Sequence, residues 1–216
     1  MPKFVFDVGA NNGDSTKEFL NDPDVELYAF EPNPILFDDL KKLQAANPRY
    51  HPYPLAIGEK DEETVFHLAG PIDPLHPLNH QEGVSNYGCS SLLPFSETVQ
   101  DEWPDRSDFH SFASLPILSV RLDTFLEKTG ISHIDYLHID AQGMDLAVLR
   151  SLGRFLANVD KGVLEAPIND KKKIYEGSHT CEEAILFLLN NNFRITDIEK
   201  NDSLGNEVNI YFQRRT

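Results

Sequence analysis

The chain has 216 residues, 40% of them hydrophobic and 25% charged, and carries a formal net charge of −16 at pH 7. A field of that sign opposes approach to phosphate backbones and anionic membranes, which argues against long nucleic acid as a partner. The basic run Lys171-Lys172-Lys173 reads as a solvated turn. Cys89 and Cys181 stand in unrelated contexts, without a CxxC pair or Cys/His zinc spacing. No apolar run approaches the ~20 residues that cross a bilayer, so no membrane insertion is expected. The first apolar strand begins within four residues, leaving no room for a leader, and the expected location is cytoplasmic.

Hydrophobic periodicity then alternates strand and helix. Phe4 to Val8 is a buried strand that runs into the turn Gly9-Ala10-Asn11-Asn12-Gly13. Asp14 or Ser15 is expected to cap a helix reaching about Asn21. Val25 to Phe30 is a second strand ending at Glu31, Pro34 to about Ala46 a second helix, and Tyr53 to Ile57 a third strand. This order predicts a parallel sheet with right-handed crossovers. A short strand, Thr64 to Leu68, precedes an irregular stretch rich in proline and glycine that lasts to about Leu115. Segment 70–115 is expected to be an acceptor-binding insertion, since long irregular segments in compact domains are usually functional. Regular structure resumes with strand Ile117–Leu122, helix Asp123–Lys128, strand Ile134–Asp140, helix Asp145–Leu152 and strand Gly162–Glu165. Helix Cys181–Asn190 and the strands Phe193–Ile198 and Glu207–Phe212 close the chain, the last two as an antiparallel hairpin. The whole reads as one domain, residues 1–216, of the α/β class: a doubly wound, Rossmann-like sheet.

The ends of the first two strands carry the chemistry. Gly9 and Gly13 let the backbone turn tightly beside a ligand, without completing the G-x-G-x-x-G of dinucleotide binders. Glu31 lies 18 residues beyond Gly13, where an acid can accept both hydroxyls of an adenosine ribose; the structural alternative is an acid at a helix N-terminus. The first loop has no pyrophosphate cradle, and Asp7 beside it suits the cationic amino-acid end of S-adenosylmethionine better than a phosphate.

Five motifs in order carry a resemblance. Phe4-Val5-Phe6-Asp7-Val8-Gly9-Ala10-Asn11-Asn12-Gly13, Phe30-Glu31-Pro32-Asn33-Pro34, Leu55-Ala56-Ile57-Gly58, Val120-Arg121-Leu122-Asp123-Thr124-Phe125 and Ile139-Asp140-Ala141-Gln142-Gly143-Met144-Asp145 resemble the FkbM family of class I methyltransferases over about residues 4–212. The resemblance implies the class I methyltransferase fold, a seven-stranded, mostly parallel sheet with an antiparallel last strand. It also implies S-adenosylmethionine as cofactor and O-methyl transfer to a hydroxyl of a sugar, glycan or natural product. It places Asp7, Gly9, Asn11 and Gly13 along the methionine moiety, Glu31 on the ribose, Asn33, Ala56 and Ile57 near ribose and adenine, and Ser90 and Ser91 beside the cofactor. Asp140 ends the fourth core strand. Gln142 stands where the family has a glutamate; it can hydrogen-bond but cannot act as a base or an anionic metal ligand.

Deprotonating a hydroxyl needs a base or a metal beside the methyl group. His138, Asp140 and Glu165 are the catalytic candidates, with His179 on the following segment. His138 and Asp140 share a strand face, and histidine titrates near neutrality. Asp140 and Glu165 could instead share a divalent ion with a third oxygen ligand, the weaker reading because no third ligand is visible. His67, His76, His80 and His110 lie in or beside the insertion and read as polar surface. The motif after the fourth strand lacks the Pro-Pro-aromatic pattern of base N-methylation. An NAD(P)-dependent oxidoreductase and a catalytically inactive binding protein of the same fold are the competing readings. A neighbouring glycan-modifying module would fit a glycan substrate.

Overall fold

The computed structural model describes residues 2–70, 87–104, 106, 108–201 and 206–215. Most of the middle of the expected insertion, with His76 and His80, lies outside them. Seven strands form the main sheet: β1 (Lys3–Val8), β2 (Val25–Phe30), β3 (Tyr50–Tyr53), β7 (Tyr136–Ile139), β8 (Lys161–Pro167), β9 (Phe193–Lys200) and β10 (Glu207–Arg214), in the order β3-β2-β1-β7-β8-β10-β9. All neighbours are parallel except β10, which runs antiparallel to both β8 and β9. This is the expected class I arrangement. The central strand β1 is a nearly unbroken apolar run because both of its faces are covered.

One face packs against α3 (Leu122–Thr129), α4 (Asp145–Ser151) and α5 (Cys181–Asn190) in the larger core. Thr180 and Glu183 close a reciprocal cap at the start of α5. On the other face α1 (Pro34–Ala46) and a tight turn of 3₁₀ helix, Lys17–Asn21, cover the β1–β3 half, and Phe19 of that turn also packs on Tyr136 of β7, with ring centroids 4.8 Å apart. The helices that contact β8 and β10, α4 and α5, lie on the opposite side. Residues of β7, β8 and β10 therefore line an open groove.

Three expected elements differ. The third strand divides: Tyr50–Tyr53 is the edge of the main sheet, whereas Ala56–Ile57 (β4) pairs with Ser119 and Val120 in a second sheet. The strand expected at Ile117–Leu122 is longer, running Ser111–Val120 (β6) antiparallel to β5 (Glu62–Ala69). Pro116 is accommodated within it: it stands opposite Val65 of β5, and on the other edge, among the described residues, β4 reaches only Ser119 and Val120. Irregular structure before β6 includes the short helix α2 (Val99–Glu102). Finally, neither Asp14 nor Ser15 caps a helix after the first loop. Asp14 is engaged by Asn12 and Lys17, while Thr16 donates to Asp7 Oδ2 at 2.5 Å.

The glycine turn is forced by packing. Gly9 has φ +83°, and a Cβ there would lie 1.8 Å from the Asp140 carbonyl oxygen. The first loop thus seats directly on the end of β7. Gly130 shares the left-handed conformation (φ +73°) but has nothing within 4 Å of an added Cβ. Gly130→Ala should cost about 1 kcal/mol, the conformational penalty alone. Gly9→Ala adds a backbone clash and should cost at least about 3 kcal/mol or prevent folding. Urea unfolding of the two variants tests this; equal costs would contradict it.

Candidate active site

The C-terminal ends of β1, β2 and β7 converge on a cavity of about 550 Å³. Glu31 lies at its centre, 5% exposed. Its Oε2 accepts the Asn11 backbone N–H at 2.8 Å and its Oε1 that of Asn33 at 2.7 Å. Asn11 presents its N–H through a left-handed φ of +51°, and Asn33 caps α1 by accepting from the Ile35 N–H. Burial pushes the Glu31 carboxyl up to about 7, against the two backbone hydrogen bonds, with Asp7 and Asp140 adding repulsion. Around it, Phe30, Leu36, Leu55, Ile57 and Phe66 supply an apolar lining. Two acids, Glu31 and Asp140, line the cavity, and no lysine, arginine or histidine does so among the described residues.

Asp140 is the junction between this cavity and the open groove of about 690 Å³, since it lines both. His138 and Glu165 line the groove with Tyr136, Asn209 and Tyr211. His138 Nδ1 lies 2.9 Å from Oδ1 of the fully buried Asp7. A carboxylate only accepts, so Nδ1 carries a proton, and in the neutral ring Nε2 keeps the lone pair. Burial pulls the His138 pKa down, but the hydrogen bond and charge of Asp7, helped by Asp140 and Asp145, outweigh it, and the net shift is upward. Burial raises Asp140, with His138 and the amide of Gln142 opposing; Glu165 is raised well above the ordinary range by burial and by Asp140, Glu207 and Asp145. Both carboxyls are thereby pushed toward the protonated form.

A second loop, after β7, fixes Asp140. Gln142 (φ +50°) donates from Nε2 to Asp140 Oδ1 at 2.5 Å, and its carbonyl accepts from Ser91 Oγ at 2.7 Å. The Tyr175 hydroxyl lies 2.7 Å from both Gln142 Oε1 and the Cys89 carbonyl.

The model of the methyltransferase FkbM domain matches residues 7–195. The chain belongs to the FkbM methyltransferase family. Among curated relatives, the 2-O-methyltransferase NoeI of Sinorhizobium fredii is 24% identical over 148 residues, which is 67% of this chain and 55% of NoeI. The chain thus spans about half the length of that relative. Among solved structures, Aeropyrum pernix fibrillarin with bound S-adenosyl-L-methionine aligns at TM-score 0.52 and 12% identity, over 98% of this chain and 66% of that one. The M. capricolum TrmK complex with S-adenosyl-homocysteine aligns at TM-score 0.50 and 11% identity, over 100% and 63%. These two likenesses establish the fold.

Within this FkbM domain, the expected cofactor residues separate into two layers. Gly9, Asn11, Glu31, Ala56, Ile57, Ser90 and Asp140 line the cavity. Asp7, Gly13, Asn33 and Ser91 stand behind it. Asp7 is occupied by Thr16 and His138, so it is not directed at a ligand as expected. Gly13 makes room for Leu43 and Tyr50, Asn33 holds Glu31, and Ser91 ties β5 to the Gln142 loop. The three catalytic candidates, His138, Asp140 and Glu165, do meet in the groove. Sequence reasoning missed Tyr175, and Phe66 and Met144 of the cavity lining. Tyr175 carries no motif and reaches the site only through the fold.

His179 is excluded as a base. Its Nε2 accepts the Leu146 N–H at 3.1 Å, so it must stay neutral. The group of His133, Asp135 and Asp160 can converge on an ion among the described residues, but it lies before β7 and β8, at the end of the sheet away from Asp140. Asp140 and Glu165 are in no such group.

Burial lowers the His179 pKa from 6.5 to about 4. The unfolded chain binds that proton first, so this contribution is present above pH 6.5 and lost as pH falls toward 4. Stability should drop by up to about 3 kcal/mol across that window from this group. Replacing His179 with Asn should flatten that section of the curve, read by urea midpoints at several pH values; an unchanged pH dependence would contradict the assignment.

Proposed function

We propose that this chain is an S-adenosylmethionine-dependent O-methyltransferase acting on a hydroxyl of a sugar, glycan or other small molecule. One observation supports this above the others: among the described residues, the 550 Å³ cavity offers two carboxylates, an apolar wall and no basic side chain. That donor set fits an adenosyl sulfonium cation. It does not fit NAD(P), whose pyrophosphate would meet Glu31 and Asp140 with neither a cation nor a long helix N-terminus to receive it. The turn after the first loop, Lys17–Asn21, is too short and irregular to supply that dipole. NoeI, the distant curated relative, carries the O-methyl reading.

The residues present fit S-adenosylmethionine, with Glu31 toward the ribose, the apolar wall toward the adenine, and the Gly9–Asn11 backbone and Asp140 toward the amino-acid end. Bound there, the cofactor supplies an electrophilic methyl carbon. The chain must then orient a hydroxyl and remove its proton. His138 is the base: Asp7 fixes the ring through Nδ1 and leaves Nε2 to accept the proton. Asp7 in turn stabilises the imidazolium that forms. Glu165, protonated beside Asp140, spares the site a second full negative charge. This dyad, beside an intact donor cavity, speaks against an inactive binding protein.

Turnover across a panel of glycosides and other hydroxyl acceptors, followed by S-adenosylhomocysteine release, tests the reading. The rate should rise with pH through a value above 6.5, since the hydrogen bond and charge of Asp7 outweigh the burial of His138 and favour its charged form. His138→Ala should lose about 10²–10⁴-fold in kcat. Asp7→Asn should also lose rate and move the rising limb to lower pH, because the carboxylate that holds the proton is gone. Full activity in folded His138→Ala, or an unmoved limb in Asp7→Asn, would contradict it.

A further inference from the structure

The groove beside the donor cavity has a definite chemical character. Its floor is a grid set by strand register: His138 stands opposite Val163, which stands opposite Tyr211, and Glu165 stands opposite Asn209. From Tyr136 to Asp140 it runs four residues, or about 13 Å, along the strand direction. That is long enough for more than one pyranose ring. Tyr211 offers an aromatic face beside Tyr136, whose ring packs against Phe19, and Asn209 and Asn201, linked to each other and to Glu165, keep further donor and acceptor capacity for hydroxyls.

The charges are one-sided. Asp140 and Glu165 sit at the donor end, and the Tyr211 hydroxyl donates to Glu199 Oε2 at 3.0 Å on the rim. The one lysine found against the lining is Lys161, whose Nζ lies 6.0 Å over the Tyr136 ring at the far end. Among the described lining residues there is no arginine or lysine. An anionic ligand entering this groove would lose its hydration opposite carboxyl groups with nothing to replace it.

We propose that the open face of β7, β8 and β10 is the acceptor subsite, and that it selects saccharides without phosphate or carboxylate groups, neutral or amine-bearing. This rests on the methyl-transfer reading above and narrows it. The sugar lies along the strands with its reacting hydroxyl at the His138 and Asp140 end. Sugar nucleotides and glycosyl phosphates are turned away, so this enzyme acts after a glycosyl group has left its phosphate carrier, on a finished glycoside.

The test is a binding titration by saturation-transfer NMR, with no methyl donor present. The probes are methyl β-glucopyranoside, methyl 2-amino-2-deoxyglucoside, glucose 1-phosphate and methyl glucuronide. The first two should bind saturably, and the two anions at least about tenfold more weakly. Glu165→Gln, which exchanges one neutral hydrogen-bonding side chain for another, should leave that gap in place, and Tyr211→Ala, which leaves the carboxyl groups in place, should weaken the neutral glycosides severalfold. S-adenosylhomocysteine titrated into the same samples separates the two claims and reports folding of the variants. If it binds while the anions bind as well as or better than the neutral glycosides, or no glycoside binds, the acceptor proposal is overturned and the donor reading stands. If it fails to bind the wild-type chain, the donor reading falls, and the acceptor proposal with it.

Discussion

The site depends on a single buried carboxylate held by two backbone N–H groups. Glu31 would be costly to bury alone, and its two oxygens are each met by one amide, from Asn11 and from Asn33. Those amides belong to the two loops that end β1 and β2, so the same contacts that stabilise the carboxylate also fix the loops against each other. Gly9 completes the arrangement by letting the first loop sit on the Asp140 carbonyl. Donor cavity, loop conformation and the position of Asp140 are therefore one coupled structure. A change in any of the three is felt by the others.

Asp7 has the corresponding role in the neighbouring groove. It is fully buried, in register with His138 across the β1–β7 ladder, and bonded to both His138 and Thr16. Parallel pairing places the acid and the histidine side by side on the same face, which is why a residue of the cofactor loop ends up orienting a group outside the donor cavity. The open face of the sheet then makes that histidine reachable. Helices cover one side, and among the described residues none covers β8 and β10 on the other, so the donor cavity and the groove lined by β7, β8 and β10 meet at Asp140.

The main sheet and its antiparallel closing strand were legible from periodicity, because buried parallel strands are continuous apolar runs and α5 carries its own capping signals. Glu31 was legible because an acid at a fixed distance from a glycine turn has few other uses. Strand ends were less so: the third strand divides between two sheets, and β6 starts at Ser111 and runs through Pro116. Asp7 illustrates a different limit. Its position beside the turn suggested a ligand contact, whereas its partners, Thr16 and His138, lie 9 and 131 residues away and appear only when the ladder is assembled. Tyr175 is of the same kind, reaching Gln142 from 33 residues downstream. A carboxylate's role follows from what its oxygens touch, and that is a property of the fold.

The central claim is that Glu31 and its two amides form a seat for an adenosyl ligand. Calorimetric titration of S-adenosylhomocysteine and of NADH into the wild-type chain and into Glu31→Ala tests it most directly. The account predicts that S-adenosylhomocysteine binds and NADH does not, and that the substitution weakens S-adenosylhomocysteine by about 1.5–3 kcal/mol, the scale of hydrogen bonds to a charged group. Unchanged affinity in a folded Glu31→Ala variant, or preference for NADH, would contradict it.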